Sequence, residues 1–179
     1  QTYELTLEQT TPATPGQPAK EPFHIPFAIG LIGADGRDMA LQLEGERRPG
    51  PLTRVLELTQ GVQRFRFIGV PERPVPSLLR GFSAPVIVEY PYTDRELKTL
   101  TASDPDPFNR WESGQRLAMT RLMRMTDAIE EGREPAIDDD FVAVARGILL
   151  DDALSPAFRA RALRLPDEGF IGEQRVVVD

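Results

Sequence analysis

Residues 85–96 read Pro85-Val86-Ile87-Val88-Glu89-Tyr90-Pro91-Tyr92-Thr93-Asp94-Arg95-Glu96, and their reading decides the fold. Up to Tyr90, Val86, Val88 and Tyr90 share one face, the period-two pattern of a strand with one side covered. From Thr93 the chain reads as a capping box: the Thr93 side chain serves one end of a helix start and Glu96 reaches back to the other. The chain therefore changes from β to α near residue 92. Composition changes with it. Residues 1–92 hold 12 of the 17 prolines and are nearly charge-balanced, with 9 Lys+Arg against 10 Asp+Glu. Residues 93–179 hold 12 Lys+Arg against 18 Asp+Glu and carry almost all of the net charge of −7.

Upstream of that junction, Tyr3, Leu5 and Leu7 alternate with charged and polar residues as in a half-buried strand. Residues 10–22 are too rich in proline for a helix and read as an ordered, extended connection. Residues 25–32 form a more apolar strand, and Ala34-Asp35-Gly36 supplies a turn that returns residues 39–43 as a hairpin partner. Residues 54–58, residues 62–68 (Phe65 and Phe67 on one face, Arg64 and Arg66 on the other) and residues 75–79 follow, the last as a proline-flanked edge strand. Residues 85–90 close the set. About seven short strands with turns between them predict an immunoglobulin-like β-sandwich over 1–92, with a partly closed barrel as the other architecture.

Downstream, the capping box opens a helix through about Thr101. Asp106-Pro107 places an N-cap before a proline at the first helical position. Phe108, Trp111, Ala118, Leu122, Met125 and Ile129 then recur at three-four spacing, predicting a helix that ends at Gly132. Asp138-Asp139-Asp140 puts negative charge at the start of the next helix, where the macrodipole favours it, with Phe141, Ala145, Ile148 and Leu149 as its buried stripe. Ser155-Pro156 starts another, running to about Arg164. The tail from Pro166 has weak helical character, and its Val176–Val178 run is expected to lack a partner. The segment 93–179 thus reads as the start of a helical domain whose last apolar face is open, as in an interrupted helical array.

Chemistry is harder to find. There is no cysteine and one histidine, His24, which excludes disulfides, thiolate chemistry and the common zinc sites. The acidic balance (pI ≈ 4.9) argues against nucleic acid, and no apolar run approaches the ~20 residues of a membrane span. His24, between Phe23 and Ile25, has no adjacent nucleophile and reads as structural or superficial. Asp138–Asp140 lacks the alternation and glycine of a calcium loop; Asp104-Pro105-Asp106 reads as a turn and cap, although such a pair can bind a divalent cation elsewhere. Asp35-Gly36-Arg37-Asp38 is a hairpin turn, and Gly33 with Gly36 forms no phosphate loop. Neither a serine elbow nor a triad is present. Arg110-Trp111-Glu112 could line an interface, with Trp111 expected as a core anchor. No catalytic, cofactor-binding or metal-ligating residue is assigned.

The ordered run of segments is more specific. Residues 3–15, residues 21–29, Pro74-Val75-Pro76-Ser77-Leu78-Leu79-Arg80-Gly81-Phe82-Ser83-Ala84-Pro85-Val86, Asp106-Pro107-Phe108-Asn109-Arg110-Trp111-Glu112, Leu149-Leu150-Asp151 and Leu163-Arg164-Leu165-Pro166 together resemble the bacterial-type aminopeptidase N family of zinc metallopeptidases. The resemblance covers only the β-sandwich after the catalytic domain and the first helices of the C-terminal helical domain. That family uses a His-Glu-x-x-His helix, a further Glu ligand, a Gly-x-Met-Glu-Asn strand and a Tyr, and none of these stands in this sequence.

The resemblance implies a parent enzyme that removes N-terminal amino acids with zinc, to which this piece contributes a scaffold bridging the catalytic and helical domains. Gln1 in place of a methionine, with no leader pattern, also reads as a piece of a longer chain. The cofactor expected for the piece itself is none. The expected partners are the other domains of its own parent, with no nucleic acid and no membrane, and the expected compartment is the cytoplasm. The competing classes are an independent peptide- or sugar-binding sandwich, suggested by the Phe- and Arg-bearing strand 62–68, and a self-sufficient acid–base hydrolase.

Overall fold

Strand β1 (Thr2–Glu8) pairs antiparallel with β4 (Val62–Ile68), Leu5 opposite Phe65 and Tyr3 opposite Phe67. A second sheet has the order β3 (Thr53–Leu58), β2 (Ile25–Ile32), β5 (Val75–Leu78), all antiparallel neighbours. These come from a computed structural model that describes residues 1–174. Leu5, Phe65 and Phe67 of the first sheet are buried, as are Phe27, Ile29, Leu31, Leu56 and Leu58 of the second, and they form the core of an Ig-like unit, Gln1–Tyr90. The alternation on β1 and β4 follows from one covered face per sheet. Strand β2 is buried on nearly every residue because it is central in its sheet and the turn after β5 covers its second face, Ala28 N–H donating to Ser83 Oγ and Gly30 lying against the Arg80 guanidinium.

Over residues 1–92, all of them described, five strands form rather than about seven. Residues 39–43 are not a hairpin partner. The chain bridges β2 once, at Asp38 opposite Ile32, and then bridges β4, at Leu43 opposite Phe67. Leu41 N–H meanwhile donates to Pro51 O, and Ile68 N–H donates to Gln42 O. The segment passes from one sheet to the other, so its apolar alternation is real but no single ladder can form. Residues 85–90 also stay outside any sheet: Val86 N–H donates to Ala84 O, with Pro85 and Pro91 at either end. Alternation there marks one covered side, not strand pairing. The proline-rich connection is closed by Gln9, whose side-chain amide exchanges two hydrogen bonds with Phe23 N–H and O at 2.8 and 2.9 Å.

The second unit, Pro91–Asp179, holds α1 (Asp94–Ser103), α2 (Pro107–Glu130), α3 (Asp139–Leu150), α4 (Pro156–Ala162) and α5 (Glu168–Glu173). Each starts on local chemistry. Thr93 and Glu96 form the capping box; Asp106, Asp138, Ser155 and Asp167 are N-caps, with Pro107 and Pro156 in the first turns of α2 and α4. Helix α2 ends where Gly132 takes a positive φ of 71° and Arg133 N–H reaches back to Ala128 O, a Schellman closure. Gly114 of α2 lies against Thr101 of α1, close enough that a methyl there would sit 3.3 Å from the threonine methyl.

The buried line of α2 differs from the expected stripe. It runs through Asn109, Ser113, Leu117, Arg121 and Ala128, with Ala118 beside it. Phe108, Trp111, Leu122 and Met125 are half-buried and Ile129 is exposed. On α3 Ile148 is buried, Phe141 and Ala145 are half-buried, and Leu149 is exposed. Counting apolar residues passes over polar ones that are buried because they are hydrogen-bonded. The Val176–Val178 run lies outside the described residues. Among those described, no helix is long and apolar enough to cross a membrane.

Candidate functional site

Three constructions stand out, one in the sandwich and two among the helices. In the sandwich, a short 3-10 turn (Arg80–Phe82) follows β5, and its arginine is 5% exposed. Arg80 Nε donates to Ser77 Oγ at 2.7 Å, Nη1 donates to Thr53 Oγ1 at 2.8 Å, and Nη1 and Nη2 pair bidentately with Asp38 at 2.9 and 2.7 Å. A buried guanidinium is tolerable only when its donors are met in this way. The group also needs room, and Gly30 provides it: a Cβ there would fall 2.0 Å from Arg80 Cζ. Gly30→Ala is therefore expected to overpack the site and destabilise the chain by about 1–3 kcal/mol, measured by urea denaturation. An unchanged midpoint would reject the packing argument.

The backbone carrying Arg80 is strained. Leu79 (φ 54°) and Phe82 (φ 52°) both occupy the left-handed region, with Gly81 (φ 64°) between. For residues with a Cβ this costs about 1–2 kcal/mol each. The strain persists because the turn is pinned on both sides, by Arg80 within and by Ala28 N–H donating to Ser83 Oγ at 2.8 Å.

Among the helices, Arg121 of α2 is 8% exposed and joins two other helices. Its Nε donates to Asp138 Oδ2 and its Nη1 to Asp94 Oδ2, both at 2.7 Å. Asp138 thus has two tasks, because its Oδ1 also accepts from Asp140 N–H and Phe141 N–H as the α3 cap. The Arg121 hydrogen bond, helped by those backbone donors, holds the Asp138 carboxyl below its ordinary range. Burial alone would lower the Arg121 guanidinium, but its bonds to Asp138 and Asp94 outweigh that and raise it.

The third construction is a groove of about 760 Å³ in the helical unit, lined in part by Tyr92, Trp111, Glu112, Arg116, Arg161 and Phe170. The Arg116 guanidinium lies 5.2 Å from the Tyr92 ring centre and that of Arg161 5.2 Å from Trp111, within cation–π range. Trp111 is a half-buried groove residue and not a core anchor, because it lies off the buried line of α2. Glu112 lies in the same groove, whereas Arg110 donates to Thr101 O at 2.9 Å and reaches Asp151 at 3.3 Å.

His24 is exposed and pairs with Glu57. Asp140 pairs with Lys98, and Asp139 lies in the first turn of α3. Asp106 caps α2, and Asp104 Oδ1 accepts from Asp106 N–H at 2.9 Å. Residues 33–37 form the turn, Gly36 N–H donating to Gly33 O and Arg37 N–H to Asp35 Oδ1. Among the described residues no three His, Cys, Asp or Glu converge as a metal site. Sequence reading missed Arg80, Asp38, Arg121 and Asp94 as members of networks. The available signal was a charged residue at a position reserved for apolar ones: Arg80 next to Leu78-Leu79, and Arg121 four residues after Leu117.

Comparison with known proteins covers both units. A family model described as a domain of unknown function (DUF3458) with an Ig-like fold matches residues 1–91, and a companion model described by ARM repeats matches residues 94–179. Aminopeptidase N of Escherichia coli (strain K12) is 37% identical over 177 residues, 99% of this chain and 20% of that protein. Aminopeptidase N of Caulobacter vibrioides is 43% identical over 142 residues, 79% of this chain and 15% of that protein. Among solved structures, that of Legionella pneumophila aminopeptidase A in complex with aspartic acid matches with a TM-score of 0.72 and 25% identity, over 97% of this chain and 18% of that one. The chain thus spans about a fifth of the length of the curated relatives it matches. It belongs to the bacterial-type aminopeptidase N family, of whose members it carries the Ig-like domain and the ARM-repeat helices that follow.

Proposed function

We propose that this chain is a non-catalytic structural segment of a longer zinc-dependent aminopeptidase, one that removes N-terminal residues from peptides, and that it bridges the catalytic part and the helical part of that enzyme. The observation that carries this reading is the match itself: nearly the whole chain aligns, at 37% identity, with only a fifth of an aminopeptidase. The sequence agrees, since a single histidine cannot supply a His-Glu-x-x-His pair. What the residues build also suits support. Both buried arginines hold backbone segments in fixed relation: Arg80 ties the turn after β5 to Ser77, Thr53 and Asp38, and Arg121 ties α2 to the starts of α1 and α3. The partners in this reading are the remaining domains of the parent, and zinc belongs to the parent alone. A cysteine-free chain needs no oxidising compartment, and the reading places the parent in the cytoplasm. The independent binding module has no support among these relatives, whose names all denote aminopeptidases.

The test is a hydrolysis assay on amino-acid anilides. The purified chain with added zinc is expected to give background rates, while the parent enzyme turns the same substrates over and loses activity to a chelator. Zinc-dependent turnover by the 179-residue chain alone would overturn the non-catalytic reading.

A further inference from the structure

We infer that the turn bearing Phe82 is an interdomain anchor: its aromatic ring seats in an apolar pocket on a part of the parent polypeptide outside residues 1–179. The inference rests on the reading of this chain as a segment of a larger enzyme and adds where that segment attaches. Exposed hydrophobic side chains are common and mean little singly. Phe82 differs in how it is held.

Its backbone is left-handed at φ 52° although it has a Cβ, and Leu79 three residues earlier shares that conformation. Such strain persists only when the surroundings over-determine it, and it gathers at places where geometry matters for function. The surroundings here do so. Arg80, two residues before, is buried and carries four side-chain hydrogen bonds to Ser77, Thr53 and Asp38. Ser83, one residue after, accepts from the β2 backbone at Ala28. Between two fixed neighbours Phe82 stands 61% exposed, and Ile87 farther along the same segment is 94% exposed. The fold invests a buried ion pair and two unfavourable φ angles in the turn that presents this exposed aromatic residue.

A preset aromatic is what a contact surface requires, since most of its ordering entropy is lost before the partner arrives. The occupant follows from length. About four-fifths of the curated relatives lies outside the matched region, so the nearest surface at high effective concentration is the same polypeptide. Interfaces between domains of one chain need only modest area, to which Phe82 and Ile87 both offer exposed apolar surface.

Amide hydrogen exchange tests this, comparing the 179-residue chain with the full-length parent. Residues 79–87 are expected to exchange about tenfold more slowly in the parent. Phe82→Gly, which relieves the left-handed strain, is expected to leave the melting temperature of the short chain unchanged or slightly raised. In the parent it should lower the melting temperature and abolish the added protection, whereas Phe82→Tyr keeps both. Equal exchange in the two contexts, or a Phe82→Gly shift of the same sign and size in both, overturns the anchor. A concentration-dependent dimer of the short chain that Phe82→Gly dissolves also overturns it, in favour of a second copy. None of these measurements reads catalysis. A parent without zinc-dependent turnover would refute the aminopeptidase reading and leave the exchange contrast standing.

Discussion

Arg80→Ala is expected to destabilise the sandwich unit by about 3–5 kcal/mol, the range for removing one partner of a buried pair. The loss has identifiable parts. Asp38, only 11% exposed at its side chain, would keep its charge without the guanidinium that matches both its oxygens. Ser77 Oγ and Thr53 Oγ1 would each lose a donor, and the space over Gly30 would become a cavity. The measurement is urea denaturation followed by far-ultraviolet circular dichroism at wavelengths that weight the strands. The single tryptophan, Trp111, belongs to the helical unit and separates the two: the tryptophan transition should move little. The paired variant Arg80→Met with Asp38→Leu should recover part of the loss, because the buried charge leaves with its partner. A single variant with an unshifted midpoint would show that the network contributes only shape.

The second large effect is expected at Arg121. Arg121→Met keeps the aliphatic stem but removes charge-assisted bonds to two helix starts, at an expected cost of about 1.5–3 kcal/mol. The cost is below that at Arg80 because Asp94 and Asp138 are 39% and 29% exposed at their side chains, and water replaces part of what they lose. Trp111 fluorescence reads this unit directly. A pH dependence follows from the same geometry. The Asp138 carboxyl is held below its ordinary value of 3.8, so the folded state binds that proton less readily than the unfolded chain. Its stabilising contribution is complete above the ordinary value and is lost as pH falls through the lower folded value. Glu46, held down by Arg54 and by Leu43 N–H, has the same sign. Asp138→Asn keeps a side-chain acceptor for the cap but no longer titrates. Its denaturation midpoint should therefore fall less steeply with acid than that of the parent sequence, and parallel acid limbs would refute the linkage.

How much of this could be read from the residues depended on how local the cause was. Helix starts were legible because Thr93 with Glu96, Asp106 with Pro107 and Ser155 with Pro156 each settle within one turn. Strands β1 and β4 were legible for the same reason, since alternation reports a covered face. Residues 39–43 were misread because which sheet a segment bonds is decided by residues far away in sequence, here Phe67 opposite Leu43. The stripe on α2 was misplaced on a different ground. Asn109, Ser113 and Arg121 look like surface residues until Asp94 and Asp138 are brought beside Arg121. Family membership was legible throughout from ordered segments, whereas the arginine networks depended on partners up to 42 residues apart.

The contact between α1 and α2 has a further property. Asp94 meets Arg121 at one point and Thr101 meets Gly114 at another, and on both helices those residues are seven apart, two turns along the axis. The two helices therefore carry matching graduations, like the scales of a vernier. A slip of one turn would misalign both marks at once: Arg121 would lose its carboxylate, and Thr101 would face a residue with a side chain in place of the glycine it now lies against. Alignment of this pair is digital rather than graded, and neighbours stacked on it inherit a fixed origin.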